Sequence, residues 1–241
     1  IGDLTIKLNN LTCKCVNFVK IKNKWSRYSG GGYNCCENNC SRNKSIGECI
    51  KGNGFGNLIS DENIKYINCL EGKGGSDKIV EVYAENSFKK QQNCLNYSLY
   101  YFEIKCEFEG ELNNDERCLS IGLENCSTKD WIEFYAECAE IVNEKDEEFK
   151  LSTPTWEDND IFGCGLVYPP NNKINYKVPY VFFIQNGKQI GKGILSSKNS
   201  NSYKPYVWFK YCSVEANFGN DLETKPFKYD YSKHLILEEF Y

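Results

Sequence analysis

The stretch Asp160-Ile161-Phe162-Gly163-Cys164-Gly165-Leu166 decides how this chain is read. It is a short apolar run broken by two glycines, which predicts a buried strand crossed closely by neighbouring backbone. Beyond a loop from Tyr168 to Tyr180 follows Val181-Phe182-Phe183-Ile184-Gln185-Asn186-Gly187-Lys188-Gln189-Ile190-Gly191, in which apolar residues flank an Asn-Gly pair. A two-residue type I′ turn needs φ > 0 at both central positions, so Asn-Gly predicts a β-hairpin there. Val214-Glu215-Ala216-Asn217-Phe218-Gly219 alternates and ends on glycine, a third strand. Three strands within sixty residues with turns between them predict antiparallel sheet.

Working outward, Tyr100-Tyr101-Phe102-Glu103-Ile104-Lys105 and Leu119-Ser120-Ile121-Gly122-Leu123 add two more strands. In this order the five motifs resemble the SPRY domain family: a YYFE strand, an IGL strand, a D-I-x-G-C-G strand, an FFxxNGKxxG hairpin and a V-E-x-N-F-G strand. The resemblance runs from Trp25 to Asp230 and is weakest before Leu99. It implies an all-β fold, a bent two-sheet antiparallel β-sandwich of concanavalin-like type, binding proteins through loops at one end. Within the family the chain is most similar to the secreted SPRY effectors of plant-parasitic nematodes, through Gly163-Cys164-Gly165-Leu166-Val167-Tyr168-Pro169-Pro170 and Ser232-Lys233-His234-Leu235. That likeness implies secretion, possible delivery into host tissue, and a host protein as partner. One domain is expected over 1–241, with an N-terminal strand region at 1–24, a cysteine-rich part at 25–98, the sandwich core at 99–230 and a C-terminal strand at 231–241.

A chain of 241 residues is ordinary for one all-β domain. A net charge of −4 leaves no basic field to hold a phosphate backbone, and it argues against an anionic membrane surface as well. No apolar run reaches bilayer-spanning length, so a soluble protein, expected to be a monomer, is the reading.

Fourteen cysteines are many for a reduced compartment. Eight of them, Cys13, Cys15, Cys35, Cys36, Cys40, Cys49, Cys69 and Cys94, precede the first firm motif. Disulfides among these, with Cys126 pairing Cys138, are expected. Zinc on Cys35, Cys36, Cys40 and Cys49 is the alternative; Cys36-x3-Cys40 fits one ligand pair, but no second pair follows. Cys106, Cys118, Cys164 and Cys212 fall on strands and read as buried thiols. There is no methionine, so a processed or trimmed chain without its signal peptide is expected. Sequons at Asn10, Asn39, Asn43, Asn96 and Asn125 fit a secreted glycoprotein.

Other segments carry coarser expectations. Residues 4–8 and 13–21 alternate as strands, 29–57 is a cysteine- and glycine-rich stretch held by cross-links, and 64–70 with 79–84 form a strand pair around a glycine-rich turn. Residues 131–149 fit either a helix face or a strand, and the family resemblance favours a hairpin with its tip at 143–148. Pro205 to Phe209 reads as a core strand, and 235–241 as a last strand beside the N-terminal one.

Chemistry is sparse. His234 is the one histidine, and no cysteine or carboxylate is arranged to work with it, so a triad mechanism is not expected and the protein reads as a non-enzyme. The acidic run Glu144, Asp146, Glu147 and Glu148 reads as a solvated turn rather than a glycosidase pair, and no calcium loop matches. No cofactor or metal is expected. Aromatics expected in loops form the candidate binding face: Trp131, Phe134, Tyr135, Tyr168, Tyr176, Tyr203 and Tyr211, with Asn172 and Lys210 beside them. Related SPRY proteins carry part of their peptide-binding face just before the Cys212 position, but Phe209-Lys210-Tyr211 is shorter here and lacks their Trp-Gly pair. A protein-interaction module follows, with a glycan-binding, lectin-like module as the alternative.

Overall fold

A computed structural model describes residues 16–26, 34–36, 52–69, 74–92, 94–110, 116–152, 155–170, 178–196 and 200–241. Strands are numbered along the chain, and they build two eight-stranded sheets. Sheet A runs in the order β14 (Lys188–Leu195), β13 (Tyr180–Gln185), β12 (Ile161–Tyr168), β7 (Tyr97–Phe108), β16 (Cys212–Asn217), β4 (Asn63–Ile67) and β3 (Phe55–Leu58), with β1 (Val16–Phe18) parallel to the start of β7. Sheet B runs β11 (Glu148–Lys150), β10 (Glu140–Val142), β9 (Trp131–Tyr135), β8 (Cys118–Asn125), β15 (Ser202–Lys210), β5 (Val80–Ala84) and β2 (Trp25–Ser26), with β6 (Phe88–Lys89) on β15. The expected all-β, two-sheet antiparallel sandwich is the architecture found.

Period-two alternation assigns the faces. Tyr100, Phe102, Ile104 and Cys106 of β7 point between the sheets, where Phe134, Val207 and Phe209 meet them from sheet B. The intervening Tyr97, Leu99 and Tyr101 face the other way, under Phe227, Tyr229, Tyr231 and Phe240 of the C-terminal segment. Sheet A is therefore covered on both faces, which is why β7, β12 and β13 read as nearly unbroken apolar runs. The glycines of β12 serve that second layer: the Tyr101 ring lies over Gly163 and the Phe182 ring over Gly165, leaving no space for a Cβ. The two rings are stacked, 6.2 Å apart and 9° from parallel. Aromatic side chains, not neighbouring backbone, make the close crossing.

The Asn186-Gly187 turn is as read, with φ of 51° and 81°. Asp160 pins it: its Oδ1 accepts from Asn186 Nδ2 at 2.6 Å, while Asn186 Oδ1 accepts from the Ile161 amide at 3.0 Å.

Three expectations are corrected. The strands at 64–70 and 79–84 are not a hairpin; β4 pairs with β3 and β16 in sheet A, β5 with β2 and β15 in sheet B. Ile64 and Tyr66 face Val80 and Val82 across the core, an arrangement two strands of one hairpin cannot adopt. Residues 131–149 form a three-strand meander, with a turn at 136–139 in addition to the one at 143–147, and Ala139 supplies a positive φ of 54°. The C-terminal segment makes one bridge, Gly193 with Phe240, at the edge of β14 instead of a full strand beside the N-terminal one.

Candidate functional site: the outer face of sheet B

Since Ile132 and Phe134, Val207 and Phe209, and Val80 and Val82 fill the core, their strand neighbours Trp131, Glu133, Tyr135, Tyr206, Trp208, Glu81 and Tyr83 share the outer face of sheet B. Cross-strand registry brings them together: Glu133 on β9 is opposite Gly122 on β8, and Gly122 is opposite Tyr206 on β15. Without a side chain at Gly122, the Glu133 carboxylate reaches across β8 to β15. A Cβ there would sit 2.8 Å from Glu133 Cβ.

Glu133 is the hub of this face. Its Oε2 accepts from Ser120 Oγ at 2.6 Å, Tyr206 OH at 2.6 Å and Trp208 Nε1 at 3.1 Å, and its Oε1 from Tyr135 OH at 2.7 Å. Four donors on one carboxylate fix four side chains from three strands. The rings lock further: Tyr83 stacks on Tyr206 at 5.5 Å, and Tyr135 meets Trp208 edge-on at 5.5 Å. Tyr83 OH donates to Glu81 Oε1 at 2.6 Å. Burial and the adjoining carboxylates push the phenols of Tyr83, Tyr135 and Tyr206 well above their ordinary range, so all three stay protonated donors. At the rim Trp131 is 43 % exposed, with Tyr135 and Trp208 half-buried. Lys129 pairs with Glu124 at 2.7 Å beside it. The arrangement offers rigid aromatic area with both oxygens of its carboxylate already hydrogen-bonded.

The predicted binding residues divide. Trp131, Tyr135 and Lys210 lie on β9 and β15 of sheet B, so the loop positions expected of Trp131 and Tyr135 are corrected; both are on the outer face of the sheet. Phe134, Tyr168 and Tyr203 are on strands and buried in the core, so their expected loop positions are corrected. Tyr203 OH donates to Glu144 Oε1 at 2.9 Å. Tyr211 occupies the tight β15–β16 connection with φ of 58°, half-buried against Tyr66 and under the Lys210 ammonium at 4.5 Å from the ring centroid. Asn172 and Tyr176 lie outside the described residues. Sequence reasoning missed Glu81, Tyr83, Glu133, Tyr206 and Trp208. The signal was present in the alternation of Trp131-Ile132-Glu133-Phe134-Tyr135 and of Tyr206-Val207-Trp208-Phe209.

The remaining candidates fall as follows. Cys13, Cys15, Cys40, Cys49, Asn10, Asn39 and Asn43 lie outside the described residues. Cys35 and Cys36 are buried beside Phe55, and Cys69 is half-buried. Cys94, Cys126 and Cys138 carry free thiols. The expected Cys126–Cys138 pair is corrected: the two flank opposite ends of the β8–β9 hairpin, separated by the length of β8, far beyond the ~7 Å that a disulfide spans between Cα atoms. Asn96 is half-buried just before β7. Asn125 is buried, donating to Glu144 at 3.1 Å and accepting from Ser200 at 2.9 Å, so the sequon there has no accessible amide in the folded chain. His234 is also buried, its Nε2 3.0 Å from Tyr180 OH and its Nδ1 2.8 Å from Tyr229 OH.

No family model matches the sequence, and no curated protein does. Solved structures similar to the chain include a human SPRY domain at 15 % identity, covering 68 % of this chain and 96 % of that one with a TM-score of 0.48. The SPRY domain of human HERC1 follows at 12 % identity, 69 % and 94 % coverage and a TM-score of 0.45. Sheep galectin-11 in complex with glycerol is similar at 14 % identity, 55 % and 95 % coverage and a TM-score of 0.32.

Proposed function

We propose that this protein is a non-catalytic module that binds a protein partner on the outer face of sheet B. The observation that carries the reading is the Glu133 hub, which fixes Tyr135, Tyr206 and Trp208 before any partner arrives. Rigid aromatics supply contact area at little conformational cost, and Trp and Tyr are enriched among residues that dominate binding energy. The hub also favours a protein over a sugar. A glycan site needs acceptors free for hydroxyls, and both oxygens of this carboxylate are occupied. His234, the one histidine, is buried and hydrogen-bonded at both ring nitrogens by Tyr180 and Tyr229, a packing role that supports binding over catalysis. The sequence resemblance to SPRY proteins, and within them to secreted nematode effectors, supports the finer reading of a secreted protein acting on a host protein.

The test is capture of partners from host-tissue extract on immobilised protein, followed by titration of the purified partner, alongside a glycan array. Trp131→Ala, which removes a ring 43 % exposed at the rim, is expected to weaken the partner at least tenfold, a loss of about 1.4 kcal/mol or more, with the melting temperature nearly unchanged, while Trp208→Ala should weaken it as much but also lower stability, because it takes one donor from Glu133. Unaltered affinity in Trp208→Ala and Trp131→Ala would remove the sheet face from the reading. Glycan signals that Trp208→Ala abolishes would replace it with the lectin alternative.

A further inference from the structure

On the outer face of sheet B one hydroxyl links an aromatic ring to a carboxylate. Tyr83 OH donates to Glu81 Oε1 at 2.6 Å and lies within hydrogen-bonding reach of the Trp131 indole N–H. Trp131 is on β9 and Tyr83 on β5, with β8 and β15 between them, so the indole lies down across the face instead of standing away from it. Its nitrogen edge turns toward Tyr83 while the residue stays exposed, and Glu81 is exposed as well. An exposed indole and an exposed carboxylate are thus held on either side of one hydroxyl.

Charge on this face is one-sided. The two cross-strand rows that hold Trp208 and Tyr206 also carry Glu81, Glu133, Glu140 and Glu148. Against them stands Lys150 alone in those rows, paired with Glu140 at 3.6 Å. Lys204 and Lys210 fall in the flanking rows, opposite Glu124 and Cys118. Glu133 sits at the centre with four neutral donors on its carboxylate and, among the described residues, no cation beside it. An anion held by neutral groups beneath partly exposed rings attracts a cation, because the ring faces are negative too and the field is weakly screened where water is excluded.

We propose that this face recognises an arginine side chain of its protein partner, stacked on Trp131 and paired with Glu81. The assignment rests on the face being the partner's binding surface. A guanidinium is flat and weakly hydrated, so it stacks on an indole and keeps N–H donors at its edge for a carboxylate; a lysine ammonium is a compact, strongly hydrated charge. Glu81 receives such a donor alongside Tyr83 OH, since one carboxylate accepts several hydrogen bonds. A neutral or acidic side chain leaves the negative field unmatched.

Calorimetric titration of the whole protein at low salt with the blocked peptide Gly-Arg-Gly-Arg-Gly tests this, against the same peptide carrying lysine, citrulline or glutamate in place of arginine. The arginine peptide is expected to bind about fivefold or more tightly than the citrulline and glutamate peptides, and about twofold or more tightly than the lysine peptide. Trp131→Ala and Glu81→Gln should each weaken it about threefold or more, whereas Glu238→Gln, which removes an exposed charge from the C-terminal segment, should not. Failure of the arginine peptide to bind, equal binding of the lysine or citrulline peptide, or binding that Trp131→Ala and Glu81→Gln leave unchanged overturns the proposal. Where the captured partner still depends on Trp131 in those cases, the binding face stands and only the arginine assignment falls. Where the peptide depends on Trp131 and the partner does not, arginine recognition is upheld and the partner binds elsewhere.

Discussion

The hydroxyl of Tyr203 on β15 donates to the carboxylate of Glu144 at 2.9 Å, joining residues 59 positions apart in the chain. Glu144 leaves the β10–β11 turn and enters the end of the sandwich, where Asn125 donates to Oε1 at 3.1 Å and Ser196 to Oε2 at 3.3 Å. Tyr203 is thus a core residue with a structural hydrogen bond. Tyr203→Ala is expected to cost about 3 to 5 kcal/mol by emptying a buried aromatic site. Tyr203→Phe should cost about 1 to 3 kcal/mol, because Glu144 stays buried with one donor fewer. Urea unfolding of the two variants checks the order; a Tyr203→Ala protein as stable as the parent would place this ring at the surface.

What the sequence made legible follows from which features are local. The Asn-Gly turn and the alternation of β7, β12 and β13 depend on neighbours in sequence, and the strands and their antiparallel arrangement could be read from them. Pairing between β4 and β16 or β5 and β15 depends on partners some 120 residues and more away, so nothing local in 64–84 distinguishes these strands from a hairpin. The site failed for a related reason. Glu133 looked like any exposed carboxylate of a strand, and only the registry of β9, β8 and β15 surrounds it with four donors. Glu144 stands among carboxylates clustered at one turn, which by itself predicts solvation, whereas its own side chain turns inward. Tyr203 lies within the polar stretch 198–204, which by composition predicts a loop, yet it begins the buried face of β15.

Glu133→Gln tests the hub. The carboxylate accepts four hydrogen bonds, three of them on one oxygen. An amide has one acceptor oxygen and no charge, so the same contacts weaken. Stability is expected to fall by about 1 to 3 kcal/mol. Trp208 should change its fluorescence emission as its indole N–H loses a charged acceptor. A variant with unaltered emission and stability would mean that the four donors do not converge on Glu133.

Gly187→Val tests the hairpin. At φ of 81° a β-branched residue is strained, and a Cβ there would lie 2.9 Å from the Lys228 carbonyl oxygen. The expected cost is about 1 to 3 kcal/mol, read as a lower melting temperature. Since the turn is remote from Glu133, partner binding should change only as far as the folded fraction does. An unchanged melting temperature would refute the positive-φ turn.

Thiol accessibility follows from burial. Cys106, Cys164 and Cys212 are inaccessible within the sandwich, and burial raises the Cys164 and Cys212 thiols well above their ordinary range. Burial also pushes Cys118 up to about 12 and Cys138 to about 11, the latter with help from Glu140. The thiolate is the nucleophile, so these cysteines should be poor ones at neutral pH. Native alkylation at pH 7.5 followed by peptide mass spectrometry should label Cys94 ahead of Cys118 and Cys138, and leave Cys106, Cys164 and Cys212 unlabelled until denaturant is added. Rapid native labelling of Cys164 would contradict the packing of β12.

His234 gives the fold an acid sensitivity of predictable sign. The ring stacks on Phe182 at 4.5 Å and lies between the hydroxyls of Tyr180 and Tyr229, so it helps fasten the C-terminal segment onto sheet A. Burial away from water lowers its pKa from 6.5 to about 4. Between those values the unfolded chain binds a proton that the folded chain refuses, so stability falls as pH drops from 6.5 toward 4 and is constant, for this group, above and below that window. The loss is on the order of 3 kcal/mol when complete. Glu103, on the same face of sheet A, opposes it in part. Its pKa is raised by burial, against the hydrogen bonds it accepts from Tyr101 and from the amides of Lys228 and Tyr229, so the folded state favours its protonation as acid is added. Comparing the native protein with His234→Phe separates the two contributions, since only the histidine differs. The variant should be less stable at pH 7.5, because both tyrosine hydroxyls lose a partner, yet lose less further stability between pH 6.5 and 4.5 than the parent does. Parallel stability curves across that interval would show that His234 titrates alike in the folded and unfolded chains.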